Sequence, residues 1–302
     1  MQPSAIVGAV ANRDGNGWSR CAAGHRHWGK YGAAGLLVWA PGQGREAVVL
    51  LQRRAGGFSS HAGSWGPPGG ARDSHESVAA AALREAAEEC GVPPDAVTVR
   101  GVLRDDHGGW SYHTVIGSAA AAFAVTSTSA ETSAAAWVPV PAVAGLDLHP
   151  GFAAQWPVLA SALRPLTVIV DAANVMGSRP DGWWRDRPGA AGRLGSEVAA
   201  LASAGISDLP PELDAPPLER WYPQFLVVLE GQARAALRPD GVPAGRLRFV
   251  LATGSGDDAI AELAAGQPGR RLVITADRGL RARCQAAGAT VIGPSWLLGR
   301  LG

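Results

Sequence analysis

The chain has 302 residues, 47% hydrophobic and 18% charged, which suits about two globular domains. Its formal net charge of +1 is spread evenly, so neither half is a basic nucleic-acid domain by bulk charge. No apolar run reaches the roughly 18–20 residues of a membrane-spanning helix, and the first residues lack the basic and long apolar regions of a secretory signal. The cysteines, Cys21, Cys90 and Cys284, are scattered and make no disulfide framework. A reduced, cytoplasmic protein with no membrane partner is expected.

Residues 1–30 read as an N-terminal extension. Cys21, His25 and His27 invite a zinc reading, but one Cys without a C-x-x-C leaves four tetrahedral ligands out of view. The histidines are expected to be structural or solvent-exposed. Two apolar runs of strand length follow, 32–40 and 47–54, separated by the turn-like PGQGRE. Gln52, Arg53 and Arg54 are placed to line a phosphate site, since arginine forks suit phosphate oxygens. They read equally as a strand end in water. Asp73-Ser74-His75-Glu76 has capping-box spacing, with Asp73 as N-cap and Glu76 reaching back. The alanine-rich run 77–87 favours helix, with Val78, Ala82 and Leu83 on its buried side. Glu85, Glu88 and Glu89 fall at i, i+3 and i+4 and project from one face. Three such carboxylates repel one another, and a hard cation such as Mg²⁺ is the usual remedy. Taken alone, E-x-x-E-E reads as a solvated acidic face. Gly91 suits a helix C-cap. The segment 105–115, with Trp110 and Tyr112, reads either as a base-stacking, substrate-binding strand or as core.

Gly70, Glu76, Arg84, Glu85, Glu88, Glu89 and Gly91 together resemble the Nudix box, G-x5-E-x7-R-E-U-x-E-E-x-G-U, where U is aliphatic. Every fixed position matches, and only Ala86 is small for its slot. The resemblance implies an α/β/α sandwich on a mixed sheet across 31–160, with a closing strand at 137–143 and a helix at 146–157. It implies Mg²⁺- or Mn²⁺-dependent hydrolysis of a nucleoside diphosphate linked to another moiety, by activated water attacking phosphorus. Carried onto this chain, it makes Glu88 and Glu89 metal ligands and Glu85 a further ligand or a residue that orients water. The Gly69 carbonyl becomes another ligand, and Arg84 orients the carboxylates. The general base varies in the family. Glu131, after the strand-like 121–127, is the candidate here.

The pattern changes after 161–166, which reads as a linker. Strand candidates at 167–171, 225–230, 247–252, 271–276 and 290–293 alternate late in the chain with helix-like 257–266 and 278–288. This implies a parallel-sheet, Rossmann-like α/β domain over 167–302. Asp171, Glu230, Asp257-Asp258 and Asp277 stand at strand ends, where such sheets bind ligands. Several carboxylates there can hold Mg²⁺ or Mn²⁺ for in-line attack on a phosphodiester. VDAANVMG, GSGDDAIAEL and ITADRGLRARC resemble the PIN-like nucleases, particularly their NYN branch. That likeness implies a metal site of Asp171, Asn174, Asp257 or Asp258, and Asp277. The same acids read as helix starts and turn caps. The cluster 183–187, Trp-Trp-Arg-Asp-Arg, suits stacking on single-stranded nucleic acid or docking against the N-terminal half. Proline-rich 208–223 reads as a long surface loop. Three readings follow. The first is a nucleotide pyrophosphohydrolase acting on a nucleotide-like diphosphate. The second is a ribonuclease whose N-terminal half trims RNA 5′ ends or senses nucleotide. The third makes the C-terminal half a non-catalytic RNA- or partner-binding module.

Overall fold

A computed structural model describes residues 13–42, 44, 46–56, 61–127, 129–236 and 245–301. The first twelve residues of the expected extension and two residues of the 41–46 turn lie outside them. Backbone contacts divide the chain into two compact units, one up to Val97 with Leu103–Ala154, the other Thr98–Val102 with Gln155 onward.

The first unit opens with an antiparallel hairpin, β1 (Trp18–Arg20) and β2 (Arg26–Trp28), in the expected extension. Trp18 and Trp28 meet edge to face at 5.4 Å, with Arg26 over Trp18. Then come β3 (Ala33–Pro41), β4 (Ala47–Arg54), β5 (Trp65–Gly66), β6 (Gly69–Ala71) and helix α1 (Val78–Cys90). Strands β7 (Thr98–Asp106), β8 (Ser111–Ser118) and β9 (Thr132–Pro139) follow. The sheet runs β7-β8-β3-β4-β5, with β6 also on β3 and β9 also on β4. It is mixed, because β3 runs parallel to β8 and antiparallel to β4 and β6. AAGLLVWAP shows no polar alternation because β3 is central and buried nearly throughout, with α1 packed on it.

Several expectations shift. Segment 121–127 is not a strand, so Glu131 ends a loop. The closing strand stops at Pro139. Pro139 and Pro141 have no N–H to donate, and the chain turns through a 3₁₀ segment, Val140–Gly145. Helix α2 (Pro150–Ala162) begins later than expected and buries Phe152, Trp156 and Leu159 on one face. The N-cap of α1 is Ser77, whose side chain accepts from Ala80 N at 3.1 Å. Asp73 lies four residues before that cap, and its buried carboxylate accepts from Gly15 N at 2.7 Å. Glu76 still reaches back to Asp73 N at 3.1 Å. Of the residues expected on the buried side of α1, Ala82 is buried, while Val78 and Leu83 are partly exposed. Gly91 is the C-cap, in the left-handed conformation.

The second unit holds β10 (Leu166–Asp171), α3 (Ala172–Gly177), α4 (Arg187–Ala204), β11 (Arg220–Trp221), β12 (Gln224–Leu229) and β13 (Leu247–Leu251). It continues with α5 (Gly256–Gly266), β14 (Arg270–Ile274), α6 (Arg278–Ala286), β15 (Thr290–Ile292) and α7 (Pro294–Leu298). All five expected strands are present in one parallel sheet, ordered β13-β12-β10-β14-β15. Ile169, Leu226 and Val273 pack with Ile260 of α5 and Leu280 of α6. Helix α4 was not expected, since Gly189, Gly192 and Gly195 lower its propensity. Packing forms it, through buried Ala190, Leu194, Val198 and Ala202. Segment 208–223 is no free surface loop, because Leu213, Leu218 and Trp221 are buried. Nor is 161–166 loose. Ala162, Leu163 and Leu166 are buried, and Arg270 bonds Ser161 O at 2.9 Å. Among the described residues no helix is long and apolar enough to cross a membrane.

Candidate active site

The carboxylates of α1 lie over a glycine platform. A Cβ on Gly69 would come within 2.4 Å of Ala34 O and Gly35 Cα, and one on Gly70 within 2.7 Å of the Glu85 carboxyl carbon. Only glycine lets the two strands and the helix approach so closely. Gly69 N then donates to Glu89 Oε2 at 2.8 Å. Gln52 Nε2 donates to the same oxygen at 2.8 Å. Gln52 is itself buried and fixed, since its Oε1 accepts from Thr132 Oγ1 at 2.5 Å. It is therefore a holder of Glu89 and not an open phosphate contact. Both bonds leave Glu89 Oε1 unengaged by them. Burial outweighs these bonds and pushes the Glu89 carboxyl up to about 7, with help from the charges of Glu85 and Glu131.

Arg84 ties the acidic face together. Its Nε and one terminal nitrogen take both oxygens of Glu76 at 2.6 and 2.8 Å, and the other terminal nitrogen bonds Glu85 Oε1 at 2.5 Å. It also bonds Ala71 O at 2.9 Å and lies 3.7 Å from Glu88. The Arg84 fork holds Glu76 below the usual carboxylate range, whereas burial raises Glu85 despite the arginine. Glu88 is the most exposed of the three and pairs with Arg13. Arg13 was missed because nothing local in the sequence marks it. Asp14 accepts from Ser74 N and Oγ beside it, so 13–15 clasp the turn before α1.

The remaining candidates divide. Glu131 is exposed, and its charge reaches Glu89. The Tyr112 hydroxyl stands where a Cβ on Gly35 would be, and burial raises its pKa first, with the charge of Glu89 next. Arg54 acts electrostatically on Tyr112 and on His149. Arg53 spends its Nε on Gly63 O at 2.9 Å. Trp110 is not brought to the carboxylates. It is buried with Cys21 and Ala33, donates Nε1 to Gly29 O at 2.8 Å and stacks on His27 at 4.1 Å. His107 also meets this cluster, and the ligand atoms of Cys21, His27 and His107 lie within 4.8 Å of one another. The sequence hid that grouping because His107 comes from the distant β7–β8 turn.

His149 supplies a pH marker. Burial pushes it down to about 4, followed by the charges of His61, 4.6 Å away ring to ring, and Arg54. The unfolded chain, near pH 6.5, takes up this proton more readily. Stability from this group is therefore full above about pH 6.5 and is lost as pH falls towards 4. Discounted for solvent exposure, the expected loss is about 1 kcal/mol. Urea melts of wild type and His149→Gln between those values should differ in slope, and equal slopes would refute the assignment.

In the second unit, Asp171, Asn174, Glu230, Asp257 and Asp277 line one cleft of about 430 Å³. It opens beyond the carboxyl ends of β12, β10 and β14, and the strand order reverses between β10 and β14. Asp171 caps α3 through Asn174 N at 3.0 Å and accepts from Thr275 Oγ1 at 2.8 Å. Burial raises it above the usual range, with the charges of Asp257 and Glu230 adding. Glu230 accepts from Gly256 N, Asn174 from Ala276 N, and Asp277 from Leu280 N. Asp258 turns away and pairs with Arg283 at 2.7 Å. Among the described residues, neither acidic set brings three carboxylates within 4.8 Å of one another. A single shared cation would need side-chain rotation at either site.

Residues 30–161 match the NUDIX domain family. The chain is 44% identical over 163 residues to a Mycobacterium tuberculosis protein named “Putative 8-oxo-dGTP diphosphatase 3”, across 51% of this chain and 72% of that protein. It is 36% identical over 171 residues to a Bifidobacterium longum “Nucleoside triphosphate pyrophosphatase/Nudix hydrolase fusion protein”, across 55% of this chain and 35% of that one. A crystal structure of a Nudix hydrolase from M. smegmatis is 45% identical, covers 47% of this chain and 91% of that chain, and has a TM-score of 0.44.

Proposed function

The chain belongs to the Nudix family, as a hydrolase acting on a phosphoric anhydride bond, and we propose that its first unit is a Mg²⁺- or Mn²⁺-dependent nucleotide pyrophosphohydrolase. The observation carrying this is the acidic face of α1 set over Gly69, with Glu89 held by Gln52 and Gly69 N. The donor set fits such an ion, being all oxygen, with two carboxyls that burial raises and that Glu85 and Glu88 press on electrostatically. Glu85, Glu88, Glu89 and the Gly69 carbonyl would hold it. Bound there, it would neutralise substrate phosphates and acidify water.

The chain's own groups do the rest. Arg84 fixes Glu85 and Glu76. Gln52 and Gly69 N fix one oxygen of Glu89 and so aim the other. Glu131, exposed and acting on Glu89 by its charge, is the candidate to accept a proton from attacking water. The charges of Arg54 and Glu89 both reach the buried Tyr112 hydroxyl, and Arg54 suits a phosphate contact. The M. tuberculosis relative's name makes an oxidised purine nucleoside triphosphate the first substrate to try. The chain with Mg²⁺ should release nucleoside monophosphate and pyrophosphate from a member of a nucleotide panel. No turnover of any member with either cation would overturn the reading.

A second reading concerns the other unit. Four acids and Asn174 on one cleft at the sheet's switch point support a PIN-like, NYN-type metal-dependent ribonuclease. Asp257, and not Asp258, then joins the site. Trp183 lies 3.8 Å from the position of a Cβ on Gly177, which lines the cleft, and Trp184 is exposed. Both suit stacking on single-stranded RNA. Labelled RNA with Mn²⁺ should be cut by the full chain and not by Asp171→Asn. Cutting by that variant would sink the assignment, and binding without cutting would favour an RNA-binding module.

A further inference from the structure

We propose that Cys21, His27 and His107 form a binding site for one Zn²⁺ ion, separate from the acidic face of α1. Three features on different elements support it.

The first is the donor set. A thiol and two imidazoles gather within 4.8 Å. Tetrahedral bonds of about 2.0–2.3 Å put ligand atoms about 3.3–3.8 Å apart, so closure needs side-chain shifts of about 1 Å. Nitrogen and sulfur donors select zinc-like ions over Mg²⁺.

The second is an unmet polar atom. His27 Nε2 is buried and has no hydrogen-bond partner among the described residues. A buried unpaired nitrogen costs stability, and no group among the described residues compensates it. A bound cation would.

The third is that the ligand-bearing loops are fastened without any metal. Ala22 N donates to Gly108 O at 2.7 Å, and Cys21 N to His25 O at 3.1 Å. Trp110 stacks on His27 while its Nε1 reaches Gly29 O. The geometry is therefore preorganised. His107 Nε2 lies 3.3 Å from Asp105 Oδ2, a carboxylate placed to orient the ring. Three protein ligands leave a fourth position for water or a small anion. His25, in the exposed turn of the hairpin, stays outside the cluster.

The experiment uses the full chain, stripped with chelator and titrated with Zn²⁺ in a large excess of Mg²⁺, which saturates oxygen sites. One equivalent should bind, and affinity should fall by more than about 100-fold in Cys21→Ser and in His107→Gln. Co²⁺ in place of Zn²⁺ should give a thiolate charge-transfer band that Cys21→Ser lacks. Cys21 is buried, so its substitution can loosen the hairpin. His107, partly exposed on a turn, decides the matter if that happens. No stoichiometric Zn²⁺ under excess Mg²⁺, or equal binding by folded His107→Gln, would overturn the site. Neither result bears on hydrolysis at α1.

Discussion

Glu89→Gln is expected to lower turnover by at least about 10²-fold while raising the stability of the metal-free protein. The two effects come from one buried charge. Glutamine keeps an oxygen for Gly69 N and Gln52 Nε2, so the local geometry survives. What it removes is a carboxylate that burial pushes up to about 7. In the unfolded chain that carboxyl ionises near pH 4.5, so the folded state binds the extra proton between these values. Stability from this group is present below about pH 4.5 and is lost as pH rises through 7. At pH 8 without divalent cations, the variant should therefore gain about 2 kcal/mol. Urea melts in chelator, read beside kcat with Mg²⁺, test both halves. A variant that loses activity and stability together would mean that Glu89 holds the fold and not the reaction. A variant with full turnover would remove it from the machinery.

Most of this site was legible because its signal is local. Residues three and four apart on a helix share a face whatever surrounds them, so Glu85, Glu88 and Glu89 could be placed together from spacing alone. The apolar runs that became β3, β10 and β12 were legible for a similar reason, since a strand covered on both faces loses its polar alternation. What sequence could not give was long-range pairing. Gln52 read either as a phosphate contact or as a strand end in water, but its side chain points to Glu89, a choice made by the register of β4 against β9. Trp110 read either as a base platform or as core, and the structure makes it core, stacked on His27 of the hairpin β1–β2. Asp73 carried a capping signature that Gly15 N claimed instead. Helix α4 was hidden by glycines whose cost is offset only by packing.

Arg84→Ala should be the most destabilising change on the same helix, at about 3–5 kcal/mol near pH 8. Arg84 bonds both oxygens of Glu76 and one of Glu85, and all three side chains are largely shielded from water. Removing the cation leaves two such carboxylates uncompensated, which costs more than the pair itself contributes. The sign with pH follows from Glu76, whose folded pKa the arginine depresses. Its stabilisation exists above its unfolded value near 4.5 and is lost as pH falls through the lower folded value. The gap between wild type and variant should therefore narrow in acid. Arg84→Lys separates charge from geometry. An ammonium keeps the positive charge but cannot fork Glu76 while reaching Glu85, so it should recover part of the stability and little of the turnover. Thermal melts at several pH values with parallel kcat measurements read this directly. A lysine variant with wild-type turnover would show that Arg84 matters as a charge alone, and that the orientation of Glu85 is set by the Gly70 platform instead.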